Sequence, residues 1–119
     1  MLLDLEIEGL PPTVNSMYRS MKGGARYKTK ECREFQERTS AMMRRSFTCT
    51  EPYTGRAALL IRFTVADRRR WDIDNRVKAL QDCLITSGVL KDDCQIDTLY
   101  VERTHGLTPA TYIRLDATG

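Results

Sequence analysis

Hydrophobic and polar residues alternate in several stretches of the chain, and this pattern predicts β-strands. Over residues 3–8, apolar side chains alternate with carboxylates, as in a strand with one buried face. Residues 59–65 alternate in the same way within a longer apolar stretch and predict a long central strand. Two further strands are expected over residues 96–103 and 111–116.

Two other stretches have the spacing of amphipathic helices. Between residues 29 and 47, apolar side chains recur at helical intervals and leave the charged residues for solvent. A second helix is expected to begin near residues 73–75, and Gly88 suits the left-handed residue that closes a helix. Segments 13–19 and 22–28 show neither pattern and are expected to be loops. The order β-α-β-α-β-β predicts an α+β fold, a small mixed β-sheet with two main helices packed on it.

The length and composition indicate one globular domain over residues 1–119. A chain of 119 residues is long enough for one packed core but not for two. Its apolar runs are too short to cross a membrane, and acidic residues interrupt the N-terminus where a signal peptide needs an apolar stretch. The four cysteines lack metal-binding spacing, which favours reduced thiols in a cytoplasmic protein.

The net charge of +3 is small, but the charges are unevenly distributed. Residues 15–45 contain nine Lys or Arg against three Glu, and residues 62–78 contain six against three Asp. Residues 82–102 contain five carboxylates against one lysine. This segregation favours a basic face that suits a polyanion such as nucleic acid, with simple solvation as the alternative.

Asp72 and Asp74 are the first candidates for chemistry, because carboxylates suit a hard cation such as Mg²⁺. Residues two apart on a helix point about 200° away from each other, so a shared ion requires extended backbone. We therefore expect the pair where extended backbone gives way to helix. The alternative is that one Asp caps the helix and the other complements its dipole.

Basic residues flank this acid pair on both sides. Arg68, Arg69 and Arg70 suit contacts with backbone phosphates, or else form a solvated surface. Trp71 either stacks on a base or anchors the loop in the core. Lys78 follows the pair by one helical turn, which is also the spacing of an ordinary surface ion pair.

Asp92 and Asp93 offer further carboxylates. The second helix is about 20 Å long at the usual rise. If Gly88 reverses the chain, the extended residues that follow return about 16 Å, so Asp93 can approach the acid pair alongside the helix. An acidic turn before a strand is the alternative. Asp82 extends the polar face on which Lys78 lies.

Taken in order, these motifs resemble the RusA family of Holliday-junction resolvases, found in bacteria and their phages. The resemblance runs from the first strand to about Val101, and the ordered combination of motifs carries it. The motifs are Pro11-Pro12-Thr13-Val14-Asn15-Ser16-Met17-Tyr18, Asp67-Arg68-Arg69-Arg70, Asp72-Ile73-Asp74-Asn75, Lys78, Asp82 and Gly88-Val89-Leu90-Lys91-Asp92-Asp93-Cys94-Gln95-Ile96.

The resemblance implies a homodimeric endodeoxyribonuclease that binds four-way DNA junctions and nicks two opposing strands, leaving 5′-phosphate and 3′-hydroxyl ends. It implies Mg²⁺ as the cofactor, with Mn²⁺ as a substitute. Carried over by position, Asp72, Asp74 and Asp93 are the metal-binding catalytic carboxylates, and Lys78 is the essential basic residue. The residues expected to support this site are Asp92, Asp82 and Asn75.

The residues expected to contact DNA lie in the two basic segments. They are Arg68, Arg69, Arg70, Trp71, Asn15, Tyr18, Arg19, Lys22, Arg26 and Lys28. The family often has another basic residue where this chain has Trp71, which affects DNA contact and junction selectivity but leaves the expected metal site unchanged.

Two other functions fit parts of the same pattern. A metal-dependent nuclease that acts on other branched or flapped DNA would use the same residues. A non-catalytic nucleic-acid-binding protein would use the acids only as helix caps and ion-pair partners. The combination of three carboxylates with Lys78 favours an enzyme.

Overall fold

The computed structural model describes residues 1–20, 22–68 and 72–119. Three residues that we expect to contact DNA, Arg69, Arg70 and Trp71, lie outside the described residues. The strands are β1 (Leu3–Glu8), β2 (Tyr18–Ser20), β3 (Arg26–Lys28), β4 (Ala57–Val65), β5 (Ile96–His105) and β6 (Ala110–Ala117). The helices are α1 (Val14–Met17), α2 (Lys30–Ser46) and α3 (Val77–Thr86), with 3₁₀ turns at Ile73–Arg76 and Asp93–Gln95.

Four of these strands form a mixed sheet in the order β1-β6-β4-β5. Strand β6 is antiparallel to both of its neighbours, whereas β4 and β5 are parallel. Strand β4 is buried at every second residue and lies between β6 and β5, which confirms the central strand predicted from its alternation. The predicted α+β fold, with a mixed sheet and two main helices, is confirmed.

Helix α2 begins and ends where its sequence predicts. The Thr29 hydroxyl caps it by accepting the backbone N–H of Cys32 at 3.2 Å. Arg44 and Arg45 lie in its last turn, where positive charge complements the helix dipole. Its buried face includes Phe35 and packs into the same core as α3 and the sheet.

Gly88 closes α3, as predicted. Its φ of 81° is in the left-handed region, where a residue without Cβ is favoured. The Gly88 N–H donates to the Ile85 carbonyl at 3.0 Å, and the Val89 N–H donates to the Leu84 carbonyl at 3.1 Å. These two hydrogen bonds form a Schellman motif, and the motif turns the chain sharply back towards the sheet.

Residues 13–28 are more regular than the two loops expected there. Helix α1 provides one helical turn, and β2 and β3 form an antiparallel hairpin with Tyr18 opposite Lys28. The Arg26 guanidinium lies over the Tyr18 ring, 5.3 Å from its centroid, while the Thr29 N–H donates to the Met17 carbonyl. Strands of three residues are too short to show an alternation, so tertiary contacts alone reveal this hairpin.

All four cysteines are free, and two of them are buried. Burial raises the pKa of the Cys83 thiol to about 12, so this thiol is protonated near neutral pH. Burial also raises the pKa of Cys32. Among the described residues, no helix is long and apolar enough to cross a membrane.

Candidate active site

The parallel strands and the helix between them form a β4–α3–β5 unit with two distinct edges. Val65 and His105 are paired where both strands end, and we call this end the carboxyl edge. Ala57 is paired with Ile96 where both strands begin, and we call this end the amino edge. Because a helix that joins parallel strands must run back across the sheet, α3 starts at the carboxyl edge and ends at the amino edge.

Asp72 and Asp74 lie at the carboxyl edge. They follow β4, and the Ile73–Arg76 turn that contains Asp74 contacts β5. Asp72 is extended, with φ −75° and ψ 136°, and the 3₁₀ turn begins at the next residue. The structure therefore agrees with the change from extended to helical backbone expected at this pair.

Both carboxylates of the pair are exposed. Asp72 makes no side-chain capping bond, although it directly precedes the turn. In the described part of the chain, neither side chain forms a hydrogen bond or an ion pair. Capping therefore does not explain Asp72, and both carboxylates are available to a cation.

Arg76 fixes the turn that carries Asp74, a role that sequence reasoning missed. Its guanidinium donates to the Pro11 carbonyl, in the segment that follows β1. Burial lowers the pKa of Arg76, and the nearby Glu31 and Asp67 carboxylates oppose this effect. In the sequence Arg76 looked like one more cation of a basic run, because nothing local signals a contact with residue 11.

Lys78 lies in the first turn of α3, but its partner is not the preceding acid. Its ammonium forms an ion pair with Asp82 at 3.3 Å, one turn further along the helix. The Lys78 side chain is 49% exposed, and the Asp82 side chain is 22% exposed. Lys78 therefore forms no ion pair with Asp72 or Asp74 within the described residues.

The acids at the amino edge have structural partners. The Asp92 carboxylate accepts the backbone N–H of Cys94 at 3.0 Å, and this bond, assisted by the Asp93 and Cys94 side chains, lowers the pKa of Asp92. Asp92 therefore caps the turn before β5, as in the alternative considered for this acidic pair. Asp93, the first residue of the turn, is exposed.

Gln95 anchors the same turn, and sequence reasoning assigned it no role. Its side-chain oxygen accepts the backbone N–H groups of Lys91 and Asp92, both at 2.9 Å. Its side-chain nitrogen donates to the carbonyls of Tyr53 at 2.8 Å and Gly55 at 2.9 Å. A buried amide with four backbone partners fixes this turn beside the start of β4.

Asp93 therefore does not return to the acid pair within one chain. Leu90 bridges to Tyr53 upstream of β4, and β5 then starts opposite Ala57, so Asp93 stays at the amino edge. The helical segment from Ile73 to Thr86 separates the edges by about 20 Å. Among the described residues, no three His, Cys, Asp or Glu side chains form a group that could hold a metal ion. The three-carboxylate site stays a prediction, and one chain alone does not form it.

Most of the described residues expected to contact DNA are exposed. Helix α1 contacts α3 and continues directly into the β2–β3 hairpin. The exposed members of the set are Asn15, Arg19, Lys22, Arg26, Lys28 and Arg68. Tyr18 is half-buried against the core instead. Tyr27, absent from the predicted set, is 46% exposed and pairs with Arg19 across the hairpin.

The supporting residue Asn75 is half-buried, and its backbone N–H donates to the Asp72 carbonyl at 3.0 Å. This bond closes the turn that follows Asp72. The Lys28 ammonium donates to the side-chain oxygen of Gln36 at 2.8 Å, which ties the hairpin to α2. The supporting role of Asn75 and DNA contact by Lys28 both stay predictions.

The fold and the carboxyl edge define a class of small α+β proteins with an exposed pair of carboxylates where two parallel strands end. Within that class, the family model for endodeoxyribonuclease RusA matches residues 8–116. The match covers nearly the whole chain, so the protein belongs to the RusA family, and membership implies Holliday-junction resolvase nuclease activity. No curated protein matches the chain.

Proposed function

We propose that the protein is a metal-dependent Holliday-junction resolvase that nicks opposing strands of four-way DNA junctions in recombination and repair. The observation that carries this proposal is the pair of exposed carboxylates, Asp72 and Asp74, which have no partner among the described residues at the carboxyl edge of a RusA chain. The proposed products are a 5′-phosphate and a 3′-hydroxyl, and the proposed location is the cytoplasm, where the DNA substrate lies.

The residues of the carboxyl edge suit hydrolysis of a phosphodiester. Asp72 and Asp74 would hold Mg²⁺, or Mn²⁺ as a substitute, because both cations favour carboxylate oxygens. When bound, the cation would supply charge neutralisation and a water of lowered pKa. Lys78 would add positive charge one helical turn away, and the start of α3 would favour a bound phosphate.

A second copy of the chain would complete the carboxylate set. In the described residues β5 pairs only with β4. The other side of this ten-residue strand therefore has unpaired backbone groups. Leu99 is 47% exposed and Tyr100 is 52% exposed on this strand. A long strand with one unpaired side and exposed apolar side chains favours pairing with another strand. This supports the proposed homodimer.

Two-fold symmetry gives this pairing a consequence for the site. If β5 pairs antiparallel with its own copy, the start of one strand lies near the end of the other. Asp93 precedes β5, whereas Asp72 and Asp74 lie at the edge where β5 ends. In such a dimer, each site would combine Asp72 and Asp74 of one chain with Asp93 of the partner subunit.

The function is tested by incubating the protein with a labelled mobile four-way junction, a flap and a linear duplex, each with and without Mg²⁺. The proposal expects paired symmetric nicks on the junction, only with the metal. Cutting of the flap in preference to the junction would favour the alternative nuclease on other branched DNA. Binding of the junction without any cutting in Mg²⁺ or Mn²⁺ would contradict the proposal that the protein is an enzyme.

Mixed dimers test the shared site. Asp74→Asn and Asp93→Asn chains should each be inactive alone, because every site in either homodimer lacks a carboxylate. Mixed and allowed to exchange, the two variants should recover nicking, because each heterodimer then contains one intact site. No recovery of nicking would show that each chain builds its own site. Normal cutting by Asp93→Asn alone would show that Asp93 does not belong to the site.

A further inference from the structure

A groove of about 450 Å³ runs along α2 and is also lined by Thr86 of α3. Its walls include Arg33, Gln36, Ser40 and Arg44, which recur at intervals of three or four residues and so follow one face of α2. Lys28 of the hairpin contributes to the same groove. The groove therefore extends from the hairpin towards the amino edge, away from Asp72 and Asp74.

Two arginines of the groove are oriented by backbone carbonyls and not by acids. Arg33 donates to the Lys28 carbonyl at 2.9 Å, and Arg44 donates to the Ser87 carbonyl at 3.3 Å. Neither forms an ion pair with a carboxylate in the described part of the chain. Each guanidinium has five N–H donors, so donors remain for an anion.

Gln36 provides an independent sign that the groove accepts a ligand. The residue is only 6% exposed, and its side-chain oxygen is occupied by the Lys28 ammonium at 2.8 Å. Its side-chain nitrogen is buried and has no hydrogen-bond partner among the described residues. A buried donor without an acceptor is uncommon, and because Gln36 lines the groove, rotation of its amide towards the groove would let an anionic oxygen satisfy this donor.

We infer that this groove binds the phosphodiester backbone of a junction arm, an inference that rests on the proposed DNA substrate. Arg33 and Arg44 are separated by about 16 Å along the helix, a length that spans several consecutive phosphates of one DNA strand. Glu37 is the one acid among the lining residues, against the cations Lys28, Arg33 and Arg44. Lys28 belongs to both the hairpin and the groove, so the groove continues the basic hairpin.

Two matched double variants test the inference. Arg33→Ala with Arg44→Ala removes two charges from the groove, whereas Arg38→Ala with Arg45→Ala removes two exposed charges from the same helix outside it. Binding of a labelled four-way junction is measured without divalent metal over a range of salt concentrations. The groove variant should bind about tenfold more weakly, and its log–log salt slope should fall by about two. Equal losses of junction affinity in both double variants would contradict the proposed role of the groove.

Gln36→Glu is a second variant that keeps an oxygen for Lys28 but replaces the buried donor with a negative acceptor. It should weaken binding about as much as the loss of one arginine, with a melting temperature close to that of the wild type. Unchanged binding would contradict the role of Gln36.

Cutting separates this inference from the proposed function. At saturating enzyme with Mg²⁺, the groove double should cut the junction within about twofold of the wild-type rate, because the groove lies away from Asp72 and Asp74. If the wild-type protein cuts junctions but the groove variant binds them as tightly as the control variant, the proposed role of the groove is wrong and the proposed function stands. A wild-type protein that neither binds nor cuts junctions would overturn both proposals.

Discussion

The two edges of the β4–α3–β5 unit carry the same residue type but use it differently. At the amino edge, Asp92 caps a turn, Asp97 pairs with Arg56, and Asp116 of the neighbouring β6 pairs with Arg114. At the carboxyl edge, Asp72 and Asp74 make no such contact with the described residues. The role of an acid thus follows from its contacts, so substitution of these partnered acids should lower stability, whereas substitution of Asp72 or Asp74 should lower activity.

The largest effect expected is that of Asp74→Asn on DNA cutting. Loss of this carboxylate should reduce junction nicking at least about a hundredfold, because it removes charge where the cation is proposed to bind. The free energy of unfolding should stay within about 0.5 kcal/mol of the wild type, because no hydrogen bond is lost. Single-turnover nicking and urea unfolding measure the two quantities.

Asp116→Asn is the matched control, because it also neutralises an acid, here a half-buried one at the other edge. It should cut at the wild-type rate. If Asp74→Asn instead unfolds easily and loses activity only in proportion, the carboxyl-edge acid is structural and the contrast between the edges fails.

The next largest effect is that of Gln95→Leu on stability. The substitution removes four part-buried hydrogen bonds and leaves four backbone groups without this partner, which should lower the free energy of unfolding by roughly 2–4 kcal/mol. Urea unfolding measures this loss. Gln81→Leu on α3 is the control, since the Gln81 side chain forms no hydrogen bond with the described residues, and it should change stability by less than about 0.5 kcal/mol. Equal losses would refute the anchoring role of Gln95.

The smallest effect expected is the pH dependence of the Asp116–Arg114 pair. Arg114 holds the pKa of Asp116 below its ordinary value, so the folded state favours the ionised carboxylate. The resulting stabilisation is present above the pKa of the unfolded chain, about 3.9, and is lost as the pH falls through the lower folded value. Asp116→Asn should therefore be less stable than the wild type at pH 7, with the gap closing below about pH 4. A gap that persists at pH 2 would point to another cause.

Local patterns predicted the elements that bury a regular face. Alternation located β1 and β4, helical spacing located α2, and the i, i+2 spacing of Asp72 and Asp74 required the change of backbone that the structure has there.

Features that depend on distant pairing could not be predicted in the same way. No local signal shows that β4 and β5 are parallel, yet this pairing separates Asp93 from the other two acids. The roles of Gln95 and Arg76 likewise depend on backbone carbonyls far away in the sequence. Chain length alone allowed Asp93 to return, but the strand register prevented it.

The parallel pairing of β4 and β5 has a consequence for control of the enzyme. If the site is shared between two copies as proposed, a single chain would not cut DNA, because its carboxylates lie at two ends of the molecule. Under the proposed pairing, cutting would rise with the square of the chain concentration when dimers are scarce. The fold would then act as a concentration threshold that protects the genome from stray monomers.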